Sequence, residues 1–269
     1  MSHANKSYNV GIIGVGIMGE ALLAGLINSN FPKERISIYE KREERASEIT
    51  SKYLVKSLGL AKVASDSDVI LLVTKPQDLG GLLEEIRDSL KSDVTLVSFA
   101  AGKTIDFISS HSKGAKVIRV MPNTPVLINK GMSALSAGPG VDREVLSFVA
   151  NFLNNCGKAL VVDEELQNAV TATSGSGPAY FFAFVEEMIK SAQQLGLSES
   201  DATTLTIQTI IGSAAMLEES GKSPTTLREN VTSPNGTTAA ALNKFNEGKL
   251  GELISNAMRA ARDRSQELA

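Results

Sequence analysis

The sequence has one cysteine, Cys156, and two histidines, His3 and His111, in 269 residues. A single thiol excludes an intramolecular disulfide and leaves a thiolate metal cluster within one chain without ligands. Two histidines are too few for a multi-histidine centre, so no metal is expected. No uncharged apolar run reaches about 18 residues, so no membrane-spanning helix is expected. The opening segment, Met1 to Tyr8, carries no apolar core of signal-peptide length, and a reducing cytoplasm is the expected compartment. Neither charge sign dominates. Lys+Arg 27 against Asp+Glu 30 gives a net -3, without the basic excess of a nucleic-acid footprint. Internal repeats and low-complexity segments are absent. What is present, 42% hydrophobic and 21% charged residues, excludes bulk disorder, and the length fits one large domain or two modest ones.

The first half alternates short β-branched runs with helical stretches. Val10–Ile13, Ile36–Tyr39, Val69–Val73, Val94–Phe99 and Lys116–Val120 read as strands; Met18–Asn28 and Arg42–Lys52 read as helices. Val69-Ile-Leu-Leu-Val73 is apolar throughout, as in a strand covered on both faces. Met132–Ser136 is expected to add a later edge strand, and Ala159–Val162 another. Such alternation predicts a doubly wound parallel sheet of Rossmann type with right-handed crossovers. After Asp163 strand-like runs stop. Pro178–Leu195, Ser198–Glu219 and Asn243–Leu268 read as helices, punctuated by Gly196, Gly221 and Pro224. Residues 1–163 are therefore expected to form a dinucleotide-binding domain, and 164–269 an all-helical one with some of its apolar surface in a subunit interface.

Gly14-Val-Gly16-Ile-Met-Gly19 follows a strand and opens a helix. In that context Gly14 permits the tight turn, Gly16 lets a pyrophosphate approach the backbone, and Gly19 allows close helix–strand packing. The helix start adds free N–H groups and a positive dipole end. A plain glycine-rich turn is the competing reading. Glu40, 21 positions after Gly19, suits the ribose hydroxyls of NAD. Lys41 and Arg42 suit a 2′-phosphate. Two cations beside one anion tilt the expectation to NADPH, with NADH the alternative.

Three further segments end strands at the same sheet edge: Val73-Thr-Lys75-Pro76-Gln77, Ser98-Phe-Ala100-Ala101-Gly102 and Val120-Met-Pro122-Asn123-Thr-Pro125. They make Lys75, Pro76 and Asn123 candidate cofactor-binding residues. The bland readings are a surface lysine and strand-stopping prolines. In the helical half, Asn230-Val-Thr232-Ser233-Pro-Asn-Gly236-Thr237-Thr238 opens an Ala-rich helix and could receive a carboxylate. On spacing alone, ordinary capping by Ser233 or Thr237 is the better reading. His111 reads as a surface helix end and Cys156 as a packed small hydrophobe. With no placed histidine, chemistry that needs orientation more than a strong acid, such as C=N reduction, fits.

In their order, GVGIMG, VTKPQ, FAAGKT, RVMPNTP, SGSGPAYFF and NVTSPNGTTAAAL resemble the pyrroline-5-carboxylate reductases, from about Asn9 to the last helix. SGSGPAY with SPNGTT is the specific part. The resemblance implies NAD(P)H-dependent reduction of 1-pyrroline-5-carboxylate to L-proline, the last step of proline biosynthesis, by a homodimer of interlocking helical domains, with decamers in some members. It implies that Gly14, Gly16, Ile17, Met18 and Gly19 hold the pyrophosphate, and that Thr74, Lys75, Ala101 and Asn230 line the cofactor. Glu164, Ser233, Gly236, Thr237 and Thr238 would approach the substrate, with the Thr238 hydroxyl on the ring nitrogen as the catalytic contact. The sequence departs from the family twice. Asn235 stands where glycine is usual, and Asn tolerates the left-handed region better than most residues. Lys56–Ala64 lacks the asparagine that some members direct at the ribose. Two other readings stay in view: a β-hydroxyacid dehydrogenase using Lys190, and an NAD(P)-sensing regulator without turnover.

Overall fold

Strands buried on both faces must draw helices onto both faces, and the computed structural model, which describes residues 8–268, shows this arrangement. His3 and Ala269 lie outside the described residues. In chain order the first part runs β1 (Val10–Ile13), α1 (Ile17–Asn28), β2 (Ile36–Tyr39), α2 (Glu43–Tyr53), β3 (Lys56–Ser57), α3 (Leu60–Asp66), β4 (Val69–Leu72), α4 (Leu79–Ile86), β5 (Thr95–Ser98), α5 (Ile105–His111), β6 (Lys116–Met121), β7 (Gly131–Ala137), α6 (Arg143–Asn154), β8 (Gly157–Val161) and α7 (Gln167–Val170). The strands form one sheet in the order β3-β2-β1-β4-β5-β6-β7-β8. Every residue of β1, β4 and β5 is buried. Neighbours along a strand point to opposite faces. Ile12 and Leu71 join a core with Leu22, Leu26 and Phe152 of α1 and α6. Ile13 and Ile70 join the other, with Val63, Leu83 and Ile108 of α3, α4 and α5.

Strand order reverses between β1 and β4. That switch point opens a crevice at the carboxyl ends of the strands, where such sheets receive ligands. Two expectations are corrected here. The segment Met132–Ser136 is not an edge strand: β7 lies between β6 and β8, and β8 is the edge. Nor is the sheet wholly parallel, since β7 runs antiparallel to β6. The connection between them holds only a 3-10 turn, Thr124–Ile128, too short for the crossover a parallel return requires.

The chain divides into two compact units, one comprising residues up to Ser176 together with those from Ala261, the other Gly177–Ala260. The second unit is helical: α8 (Gly177–Gln194), α9 (Glu199–Glu219), α10 (Pro224–Asn230), α11 (Thr237–Glu247) and most of α12 (Leu250–Glu267). Ser198 and Ser223 cap α9 and α10 through their hydroxyls. The expected single helix Asn243–Leu268 is instead two, broken at Gly248 and Lys249, where Lys249 takes φ 54°. Among the described residues no helix is long and apolar enough to cross a membrane.

Candidate active site

The glycine turn after β1 has the geometry its sequence demands. Gly14 sits at φ 93°, and a Cβ there would lie 2.5 Å from the Val73 carbonyl oxygen. A Cβ on Gly19 would overlap the Gly14 carbonyl, so helix and turn touch only because Gly19 has none. Among the described residues, a Cβ on Gly16 would meet nothing within 4 Å. Gly16 is the N-cap of α1, and no side chain caps that end. The first N–H groups of α1, those of Ile17 and Met18, therefore face open space without intrahelical partners. This is a cradle for an anionic group.

Side chains from beyond β2 hold the turn. The Val15 N–H donates to Glu40 Oε2 at 3.1 Å, and Arg45 Nε donates to the Val15 carbonyl at 3.0 Å. Glu40 Oε1 accepts from Arg42 Nε at 3.0 Å and from its backbone N–H at 3.3 Å. Burial pushes the Glu40 carboxyl upward, but the hydrogen bonds from Arg42 and Val15 outweigh it and leave the group below its ordinary value. Arg42 is 67% exposed, against 10% for the Glu40 side chain, and Lys41 is exposed too. On α1, Glu20 receives Lys52 Nζ at 2.8 Å, the Tyr53 hydroxyl at 2.9 Å and the Arg45 guanidinium. The Lys52 contact foremost, helped by Arg45 and Tyr53 against some burial, lowers its carboxyl to about 2.

The other loops gather at the same edge. Thr74, after β4, lies beside Gly14, and its Oγ1 is buried without a partner among the described residues. That orphaned hydroxyl and the open ground above Gly16 fit a bound dinucleotide. Lys75 is exposed, Pro76 half-buried, and Ala101 half-buried next to Gly102. Asn123 staples its loop: Oδ1 accepts the Met132 N–H at 2.8 Å, and Nδ2 donates to the Ser174 carbonyl at 3.1 Å. Glu164 Oε1 accepts the Ile105 N–H at 2.7 Å and Arg119 Nη1 at 3.2 Å. Arg119 is buried on β6, between Ser98 and Ser136 of the flanking strands. Buried Gln167 donates to Ser136 Oγ at 2.8 Å. Sequence reasoning passed over Arg45, Arg119 and Gln167. The one signal was an arginine inside the apolar run Val117-Ile-Arg-Val120.

In the helical unit, Asn235 adopts φ 60°, the conformation glycine would take there. Capping by Ser233 or Thr237, the better reading on spacing, is overturned: Gly236 is the N-cap of α11 and no side chain caps it. A Cβ at Gly236 would overlap Ser233 Oγ, so the turn closes this tightly only with glycine there. Thr237 and Thr238 open α11 with free N–H groups, and Asn230 ends α10. Elsewhere, Lys190 is an exposed helix-surface lysine, 2.8 Å from both Glu186 and Glu187, which hold it charged. That is the wrong state for a proton-abstracting base. His111 ends α5, its ring 4.2 Å from that of Phe107. Cys156 is buried, and desolvation pushes its thiol up to about 11.

Known proteins place these features in a family. The profile for pyrroline-5-carboxylate reductase dimerisation matches residues 164–268, and that for coenzyme F420-dependent NADP oxidoreductases matches 9–102. The pyrroline-5-carboxylate reductase of Corynebacterium melassecola is 39% identical, over 96% of this chain and 98% of its own. The solved structure of the Coxiella burnetii enzyme superposes with a TM-score of 0.93 at 32% identity, covering 98% of this chain and 99% of that one. The Plasmodium falciparum pyrroline carboxylate reductase, solved with NADP bound, gives 0.84 at 29% identity and 98% coverage of both chains.

Proposed function

The chain belongs to the pyrroline-5-carboxylate reductase family, and from that membership we propose how its residues divide the work. The function is NAD(P)H-dependent reduction of 1-pyrroline-5-carboxylate to L-proline, the last step of proline biosynthesis. In our reading residues 1–163 hold the dinucleotide, and residues 164–269 hold the substrate and build a homodimer, with a decamer as its higher assembly, in the cytoplasm. The reduced nicotinamide, when bound, supplies a hydride. The diphosphate rests on the N–H groups of Gly16, Ile17 and Met18, with Gly14 and Gly19 shaping the turn. Thr74, Lys75, Pro76, Ala101, Asn123 and Asn230 line the rest of the cofactor.

NADPH is the preferred form. Glu40 has both oxygens engaged within the protein, while Lys41 and an Arg42 side chain that is still 67% exposed although its Nε is held by Glu40 stand where a 2′-phosphate would lie. The substrate carboxylate binds at the open start of α11, around Ser233, Gly236 and Thr237, with Glu164 on the substrate side. The Thr238 hydroxyl hydrogen-bonds the ring nitrogen. That nitrogen is already protonated when hydride reaches the adjacent carbon, so no strong acid is needed. One observation carries this reading: the glycine turn at Gly14–Gly19 leaves an open anion cradle at the start of α1, beside the buried, unpartnered Thr74 hydroxyl. Purified protein mixed with pyrroline-5-carboxylate and either cofactor tests it by loss of reduced-nicotinamide absorbance. Faster turnover with NADPH is expected, and no turnover with either overturns the proposal.

A further inference from the structure

We infer that Arg45 is a positioning residue for the dinucleotide, acting through the Val15 peptide rather than by touching the ligand. The inference rests on the reading of the glycine turn as the diphosphate cradle.

A trans peptide is planar, and its C=O and N–H point in opposite directions. The Val15 carbonyl and the Gly16 N–H belong to one peptide. Arg45 Nε, reaching from α2, holds that carbonyl at 3.0 Å. It thereby turns the Gly16 N–H the other way, away from the guanidinium, at a residue where an added Cβ would meet nothing described within 4 Å. The preceding peptide is fixed independently, because Glu40 accepts the Val15 N–H. Both soft peptides of the turn are thus clamped by charged side chains from far along the chain, and a donor is aimed before any ligand arrives. Fixing a turn in its bound form lowers the ordering cost of binding.

Arg45 is itself immobilised. Its guanidinium also meets Glu20 of α1 and, at 2.7 Å, Glu48 of α2, and its side chain is only 15% exposed. The Glu20 contact has a second consequence. Glu20 is an anion in the first turn of the helix whose start is to hold another anion. Arg45 and Lys52 compensate that charge where it would otherwise oppose a diphosphate. A lysine in place of Arg45 would keep the charge but lose the planar fork that serves three acceptors at once.

The diphosphate is common to NADPH and NADH, so loss of Arg45 weakens both by one factor, whereas loss of exposed Arg42 weakens NADPH selectively. Calorimetric titration of the full-length protein with each nucleotide reads this without turnover. R45M is expected to raise Kd about tenfold or more for both, as for loss of a charge-assisted hydrogen bond, and R45K to recover part of it. At saturating NADPH the KM for the imine stays at the wild-type value. If R45M melts too low to assay, R45K carries the test with a smaller equal rise for both nucleotides. Wild-type protein that binds neither nucleotide overturns the functional reading. Wild-type binding with R45K and R45M both within about twofold of it overturns the role of Arg45 alone. A rise confined to NADPH also overturns it, because Arg45 would then read the 2′-phosphate directly.

Discussion

Asn235 shows what one backbone angle asks of a side chain. At φ 60° an ordinary L-residue is strained, by roughly 1–2 kcal/mol, and asparagine and glycine are the residues that visit the region routinely. The departure from the family's usual glycine is therefore conservative in conformation, though not in composition. Asn235→Gly should leave the melting temperature and the KM for the imine close to wild type. Asn235→Ala should lower stability by about 1 kcal/mol and raise that KM, because the start of α11 is shaped by this turn. Thermal melts with steady-state kinetics check both. At Thr238 the expectation is chemical. Thr238→Ala should reduce kcat/KM by roughly tenfold or more through loss of a hydrogen bond at the reacting ring, and Thr238→Ser should restore most of it. Unchanged kinetics in the alanine variant would remove Thr238 from the mechanism.

Helix α1 must lie close to the sheet's rim to deliver its N–H groups, and Gly25 is where it passes α6. A Cβ at Gly25 would overlap Cys156 Sγ. In an isolated helix Gly→Ala would stabilise by about 1 kcal/mol. Here overpacking costs about 1–3 kcal/mol and wins. Gly25→Ala should destabilise, Cys156→Ala should destabilise mildly, and the double variant should lose less than the sum of the two in urea unfolding. Elements of this kind were legible in the sequence where one local demand sets them. β1 and β2 fall at the expected residues, β1 as a run buried on both faces and β2 as an alternation of buried Ile36 and Ile38 with half-buried Ser37 and Tyr39. The turn at Gly14 was legible because a positive φ is a local property of glycine. Two-residue, solvent-facing β3 left no apolar signal. The place of β7 depends on a short connection and a distant neighbour rather than on its own residues. In the site, Arg45 finds Val15 across 30 positions and Arg119 finds Glu164 across 45. No spacing rule connects such pairs, which exist only once strands and helices are assembled.

At the scale of the whole molecule, acid and dilution are the two stresses that separate its parts. Glu20 titrates at about 2 in the folded protein against an ordinary 4.5, and Glu40 is lowered as well. A lowered folded value means stability that is fully present above the unfolded value and lost as pH falls toward 2. Urea midpoints should therefore fall from about pH 5 downward, and more shallowly in Glu20→Gln. Dilution addresses the helical unit. Phe181, Phe182, Leu205, Ile211 and Met216 stand 53–68% exposed on a single chain, an apolar surface of the kind that marks an interface. They fall in the region matched by the family's dimerisation profile. Covering them with a second copy removes that liability, so light scattering should give twice the chain mass or a higher multiple. Phe182→Asp should shift the population toward monomer and lower activity. The dinucleotide cradle, in contrast, draws on the two cores of the first unit, to which Phe182 contributes nothing. The Kd for NADPH in the monomeric variant should then rise by no more than the single contact from Asn230 is worth, while turnover falls much further. A wild-type monomer at micromolar concentration would refute the assembly, and parallel loss of NADPH binding would show that the cradle does not stand by itself.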